Sequence, residues 1–210
     1  PDTIVAVDSV DSKLVQVLDE TSGRPLGRLS HNTEVTQVLL NQHSNGPQER
    51  LMAFTDKNRD LFVTNLQGGT GASGGTPMPL YKLHSHVESF AFNDETDMLV
   101  ALSDGRLRSW YLPGVCFVDK DILSLTETSA DAAEFGRGAQ IVAFTSSRIV
   151  LRKVDGSLLF TSTPLEVPLL YEYVRAGKWD ESMRLCRHQK SEPLWGSLAG
   201  MALAKRQLDM

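Results

Sequence analysis

A mostly β chain that closes in helices is the fold class this sequence predicts, and three observations carry the prediction. One phrase returns four times: an apolar run, a polar turn, then a second run of alternating apolar residues. The second runs begin at Leu14, Leu61, Leu107 and Ile149, so the phrase recurs after 47, 46 and 42 residues. Beyond Thr163-Pro164 the apolar spacing changes from every second residue to every third or fourth. Strand pairs recurring at about 40–50 residues are the sequence mark of β-propeller blades of the WD40 type. Short helices joined by brief turns are how an α-solenoid begins. The prediction is therefore part of a WD40-like β-propeller over 1–163, about four blades of an incomplete ring, followed by an α-helical, solenoid-like tail over 164–210.

Each element has its own signal. Ile4–Val7 leads through a polar turn into Leu14–Val17, and Leu51–Phe54 leads through Asp56–Asp60 into Leu61–Val63. Leu99–Leu102 leads through Asp104-Gly105, a strong hairpin dipeptide, into Leu107–Trp110. Ile141–Phe144 leads through Thr145–Arg148 into Ile149–Leu151. Between these pairs, Glu34–Leu40 and Val87–Phe92 read as further blade strands, with His31 and His84 in the loops before them. Two polar insertions, Gln42–Gln48 and the Gly-rich Gly68–Gly75, read as surface loops. In the tail, Pro168 fits a first helical turn, Leu169, Leu170, Tyr173 and Val174 share a face, and Gly177 fits a helix stop. Trp179, Met183 and Cys186 mark a second helix. Ser191 reads as the N-cap of a third, with Leu194, Leu198 and Met201 on one stripe and Trp195 and Ala202 beside it.

Composition narrows the function classes. A net charge of −5 argues against bulk affinity for nucleic acid or anionic membranes. Cys116 and Cys186 form no disulfide framework and no Cys-based metal pattern. No apolar run approaches the ~20 residues of a membrane span, so no membrane insertion is expected. The chain opens almost inside a strand and ends in a helical pattern, which gives the expectation of a segment from a longer protein.

Candidate chemistry fails in specific ways. Asp56-Lys57-Asn58-Arg59-Asp60 supplies the first half of a calcium loop, but Leu61 stands where the required glycine belongs and Gln67 where the bidentate Glu belongs. The Gly-rich segment lacks the Lys and Ser/Thr of a phosphate cradle. His84 and His86 alternate as two ligands on one strand face might, but the sequence repeats no Cys or acidic residue nearby to complete a metal pattern, and Asp119 and Asp121 sit in an alternating-charge stretch. No serine lies in a Gly-x-Ser-x-Gly elbow. No catalytic, cofactor-binding or metal-ligating residue is assigned, and no enzyme activity is expected. The remaining candidate is a docking surface for an acidic partner, made by Arg175, Lys178, Arg184, Arg187 and Lys190 in the tail.

Specific stretches carry a family resemblance. Leu99–Pro113, Val118–Leu123, Asp155–Leu158 and above all Tyr171–Ala202 are similar to the family of the 80-kilodalton WD-repeat subunit of intraflagellar transport complex B. The likeness runs from about residue 85 to the end; the first 80 residues fit the repeat only generally, and Trp110-Tyr111 stands where the repeat carries Trp-Asp. The resemblance implies the later blades of a second propeller and the first tail helices of a non-enzymatic scaffold needed for cilium and flagellum assembly. It implies other complex B subunits as partners, with self-association open, and a place in the cytoplasm and the cilium or flagellum, at axoneme and basal body. No cofactor and no nucleic acid belong to that picture. A vesicle-coat scaffold of similar layout and a propeller hydrolase are the alternatives.

Overall fold

The computed structural model describes residues 3–41, 50–66, 78–136 and 138–207. The Gly-rich Gly68–Gly75 and the insertion Gln42–Gln48 lie outside the described residues. The chain divides into two compact units, 1–87 and 88–210.

In the first unit, β1 (Thr3–Val7), β2 (Leu14–Asp19) and β3 (Pro25–Ser30) form an antiparallel sheet in chain order. A second antiparallel sheet follows, of β4 (Val35–Leu40), β5 (Leu51–Asp56), β6 (Leu61–Asn65) and β7 (Leu80–His84). Alternation places Val15 and Val17 on one face, where they join Leu29, Val35, Met52 and Phe54 in a shared core. The six residues of β5 are all buried, which is why that strand reads as an unbroken apolar run before its closing Thr55-Asp56.

The second unit holds the sheet of β8 (Val87–Phe92), β9 (Leu99–Ser103), β10 (Arg106–Trp110) and β11 (Glu127–Asp131), and the sheet of β12 (Gln140–Thr145), β13 (Arg148–Arg152) and β14 (Leu158–Ser162). The single turn α1 (Lys120–Leu123) interrupts the β10–β11 connection, and α2 (Glu166–Arg175), α3 (Trp179–Gln189) and α4 (Glu192–Ala204) end the chain. Asp119 is the N-cap of α1 and accepts the amide of Asp121 at 2.9 Å, so this acidic pair starts a helix.

The eight strands of the repeated phrase fold as read. In the two four-stranded sheets the phrase forms the middle pair, β5 and β6 or β9 and β10; in the two three-stranded sheets it forms the first two strands, with β3 or β14 beyond it. The last sheet is bonded to β8 and the turn after it: the amide of Gly138 meets the Glu88 carboxylate at 3.2 Å, and that of Ile141 meets the Ser89 hydroxyl at 2.9 Å. Further along both strands the amide of Asp94 bonds the Phe144 carbonyl at 3.2 Å and that of Ser146 bonds the Asp94 carboxylate at 3.0 Å. These bonds align β12 in the same direction as β8 without a strand ladder between them. The buried Asn93 ties the two, donating to the Phe144 and Ser146 carbonyls and accepting from the amides of Glu95 and Thr96.

The calcium-like hairpin has a structural use. Asp56, 3% exposed, accepts the Thr33 hydroxyl at 2.6 Å and the amides of Asn58 and Asp60 at 2.9 Å each. His31 Nε2 lies 3.6 Å from the same carboxylate, and its ring stands edge-on to Phe54 and Phe62. Burial raises the Asp56 pKa, but the Thr33 hydroxyl, the two amides and His31 together outweigh it and hold the carboxyl below its ordinary value. Its oxygens are taken up by its own chain. Among the described residues no group of three or more His, Cys, Asp or Glu side chains is placed to hold a metal ion.

Candidate docking surface on the helical region

The helices do not stand apart from the last two sheets. Val167 and Leu170 of α2, Cys186 of α3, and Leu194 and Leu198 of α4 share one core with Val100, Leu102, Phe144, Ile149 and Leu151. The buried stripe of α2 is Val167, Leu170, Tyr171 and Val174; Leu170 and Val174 are buried as expected, while Leu169 and Tyr173 are half-buried, with Val167 and Tyr171 in their place. The reason is one polar contact. Tyr171 can be buried because its hydroxyl donates to the Tyr111 carbonyl at 2.6 Å, and burial pushes its pKa well above the usual phenol value.

Helix ends follow from local chemistry. Gly177, at φ +70°, takes the left-handed position after α2; its amide bonds Val174 O at 3.2 Å and that of Lys178 bonds Tyr173 O at 2.8 Å, the two bonds of a Schellman motif. Lys190, at φ +50°, ends α3. Ser191 occupies the N-cap of α4 with Pro193 in the first turn, though its hydroxyl makes no capping bond. Gly196 and Gly200 let α4 press onto the segment between β10 and β11: a Cβ at Gly196 would lie 2.8 Å from Leu125 O, and one at Gly200 2.7 Å from Val115 Cγ2.

All five basic candidates are exposed. Arg175 closes α2 and donates to the Glu95 carbonyl at 3.2 Å, which anchors it to the β8–β9 turn. Lys178 lies in the Schellman turn and Lys190 at the left-handed end of α3. Arg184 and Arg187, three residues apart, share one side of α3. Asp180 and Glu181 precede Arg184 by four and three residues, spacings that favour local pairing. Cations near the last turns of α2 and α3 also complement the helix dipoles. The five residues therefore collect at two helix ends and along one side of α3.

One feature lay outside the sequence expectation. On α4, Trp195, Ala199 and Leu203 recur every fourth residue and are exposed, with Trp195 at 38% and Leu203 at 37%. A helix apolar on every side ordinarily has a cover on each. Both thiols are raised by burial, Cys116 to about 12 and Cys186 to about 11, so neither is a thiolate at neutral pH.

A family model described as the IFT80 second beta-propeller matches residues 1–166. The chain belongs to that family. Relatives include the intraflagellar transport protein 80 homologs of Rattus norvegicus, 37% identical, and Mus musculus, 36% identical, each aligned over 99% of this chain. The chain spans about a quarter of their length, 26% in both. Among solved structures, the Cps50 (Swd1) β-propeller domain of Myceliophteria thermophila superposes with a TM-score of 0.50 at 11% identity, over 78% of this chain and 48% of that one. That likeness concerns the fold alone. The sheets described above are thus blades of an IFT80-type propeller, related to proteins named for intraflagellar transport.

Proposed function

We propose that this chain is a non-enzymatic scaffold segment of an intraflagellar transport B subunit, with a propeller portion over 1–163 and a helical tail over 164–210. It serves cilium and flagellum assembly by holding other complex B subunits at fixed geometry. Its place is the cytoplasm and the cilium, at axoneme and basal body. No helix among the described residues is long and apolar enough to cross a membrane.

The observation that supports this reading is the single core joining the helices to the last two sheets. A helical region fixed this way presents its exposed side chains in a constant arrangement, so contacts with a partner lose less ordering entropy on binding. Arg175, Lys178, Arg184, Arg187 and Lys190 are the side chains proposed to receive an acidic partner. Charge complementarity of this kind sets orientation and association rate.

The test is charge reversal in the full-length protein, with all five residues changed to Glu. The expected result is loss of copurifying transport-particle subunits without unfolding of the protein. Recovery of the same subunits in the same amounts would remove the docking assignment.

A further inference from the structure

We infer that a cleft between the β9–β10 hairpin and the β11–β12 connection takes a lysine side chain from a basic segment of a partner protein, with Glu88 as its counter-charge. The inference concerns a surface of opposite sign from the helical cations and stands whether or not they dock a partner.

The cleft has a volume of about 270 Å³, and all of its walls lie within residues 88–136. Sites for drug-sized ligands usually offer about 300–1,000 Å³, so this one suits a single long side chain. Apolar walls come from three buried residues: Leu102 of β9, Ala132 just after β11, and Phe135 of the turn Ala133–Phe135. Gly105, at φ +70°, and Gly136, at φ +73°, add bare backbone. No heavy atom lies within 4 Å of where a Cβ would stand on either, so the space beside them is open.

Local bonds hold these walls. The Ala132 amide bonds the Gly105 carbonyl at 2.9 Å, that of Ala133 bonds the Asp131 carboxylate at 2.8 Å, and that of Phe135 bonds the Ala132 carbonyl at 3.0 Å. The cleft is therefore formed before anything enters it, and filling it costs little further ordering of this chain.

Among the described lining residues only Glu88 is charged. It is exposed at the start of β8, and the Gly138 amide bonds one of its oxygens at 3.2 Å, which sets the direction of the carboxylate. Among the described residues the other oxygen has no partner. The nearby cations are engaged elsewhere. Arg108 donates to the Ser103 hydroxyl at 3.2 Å and pairs with Glu127 at 2.6 Å, and Arg106 donates to the Ser129 hydroxyl at 3.3 Å.

An alkyl stem ending in a cation matches apolar walls beside a fixed carboxylate. Lysine fits better than arginine, because a guanidinium is best held by both oxygens of a carboxylate and one oxygen of Glu88 already carries a bond. The surroundings favour a protein segment over a free amine. Asp104, Asp131 and Glu134 are exposed in the flanking turns, where further basic residues of the same segment would meet them.

The experiment uses the full-length protein and a fluorescent peptide in which Lys alternates with Ser. The same peptide acetylated at every Lys, which keeps the stems and loses the charge, is the control. The Lys peptide is expected to bind and the acetylated one to bind far more weakly. Glu88→Gln, whose amide oxygen can still accept from Gly138, should weaken the Lys peptide about fivefold, the upper range for an exposed ion pair. Ala133→Leu, at an exposed lining position, should weaken it by filling the cleft. Glu134→Gln removes the same charge outside the lining and should have a smaller effect than Glu88→Gln.

Equal losses in the Glu88 and Glu134 variants would mean diffuse attraction and overturn the proposal. So would equal binding of the acetylated peptide, no binding by the full-length protein, or unchanged affinity in Ala133→Leu. A gain of affinity in Arg137→Ala overturns it as well, because the chain's own side chain then competes for the cleft. If Ala133→Leu fails to fold, the comparison of Glu88→Gln with Glu134→Gln decides alone.

Discussion

Gly196→Ala isolates the contact that holds the helical region to the blade. Its new Cβ would lie 2.8 Å from both the Cβ and the carbonyl oxygen of Leu125, and 3.0 Å from the carbonyl carbon. Two of those atoms are backbone, so no rotamer change relieves them. Carbon pairs prefer about 3.5–4.0 Å, and α4 must retreat by roughly 1 Å or distort the turn at Leu125. Overpacking of this kind costs about 1–3 kcal/mol, against about 1 kcal/mol regained from the better helix propensity of Ala. The net expectation is a destabilisation of up to about 2 kcal/mol. Ala199→Gly, at an exposed position of the same helix, reports propensity alone and should cost about 1 kcal/mol. Urea unfolding followed by tryptophan fluorescence measures both. A Gly196→Ala protein about 1 kcal/mol more stable than the parent would show the propensity gain undiminished, and the close approach of α4 would be refuted.

Two further outcomes are expected. Because the Asp56 carboxyl is held below its unfolded value of about 4, its ionised form stabilises the fold fully above that pH, and the contribution is lost as pH falls through the folded value. Asp56→Asn should therefore flatten the acid limb of a stability-against-pH curve, and an unchanged slope would dismiss the carboxylate's role. Trp110, 1% exposed at the end of β10, should cost about 3–5 kcal/mol on truncation to Ala, and an unmoved thermal midpoint would contradict its place in the core.

Much of the β architecture was legible because the central strands announce themselves. β5 and β9 are buried along their length and read as apolar runs, and the hairpins between them carry turn chemistry. The outer strands were not legible. Glu127–Asp131 has no apolar alternation at all, and it is a strand because the backbone of β10 offers it a ladder. The place of each phrase in its sheet was equally hidden, since a strand pair looks the same whether it comes first or second. The bonds of β12 and its flanking residues to Ser89, Asn93 and Asp94, some fifty residues away, left no sequence signal either. Helical spacing admitted either Tyr171 or Tyr173 to the buried face of α2, and a carbonyl sixty residues earlier decided between them. The basic residues could be named from the sequence, but their grouping at helix ends depends on where Gly177 and Lys190 stop the helices.

The left-handed residues at those two stops have a mechanical consequence. Gly177 and Lys190 turn the chain within a few residues, and the amides around them are already committed to the preceding helices. Such corners store no slack. Tension applied at the helical end would reach the blades as a displacement of the whole 88–210 body, without first paying out a loop. A chain built this way would behave as a strut between its last helix and its last two sheets, its length set by its core.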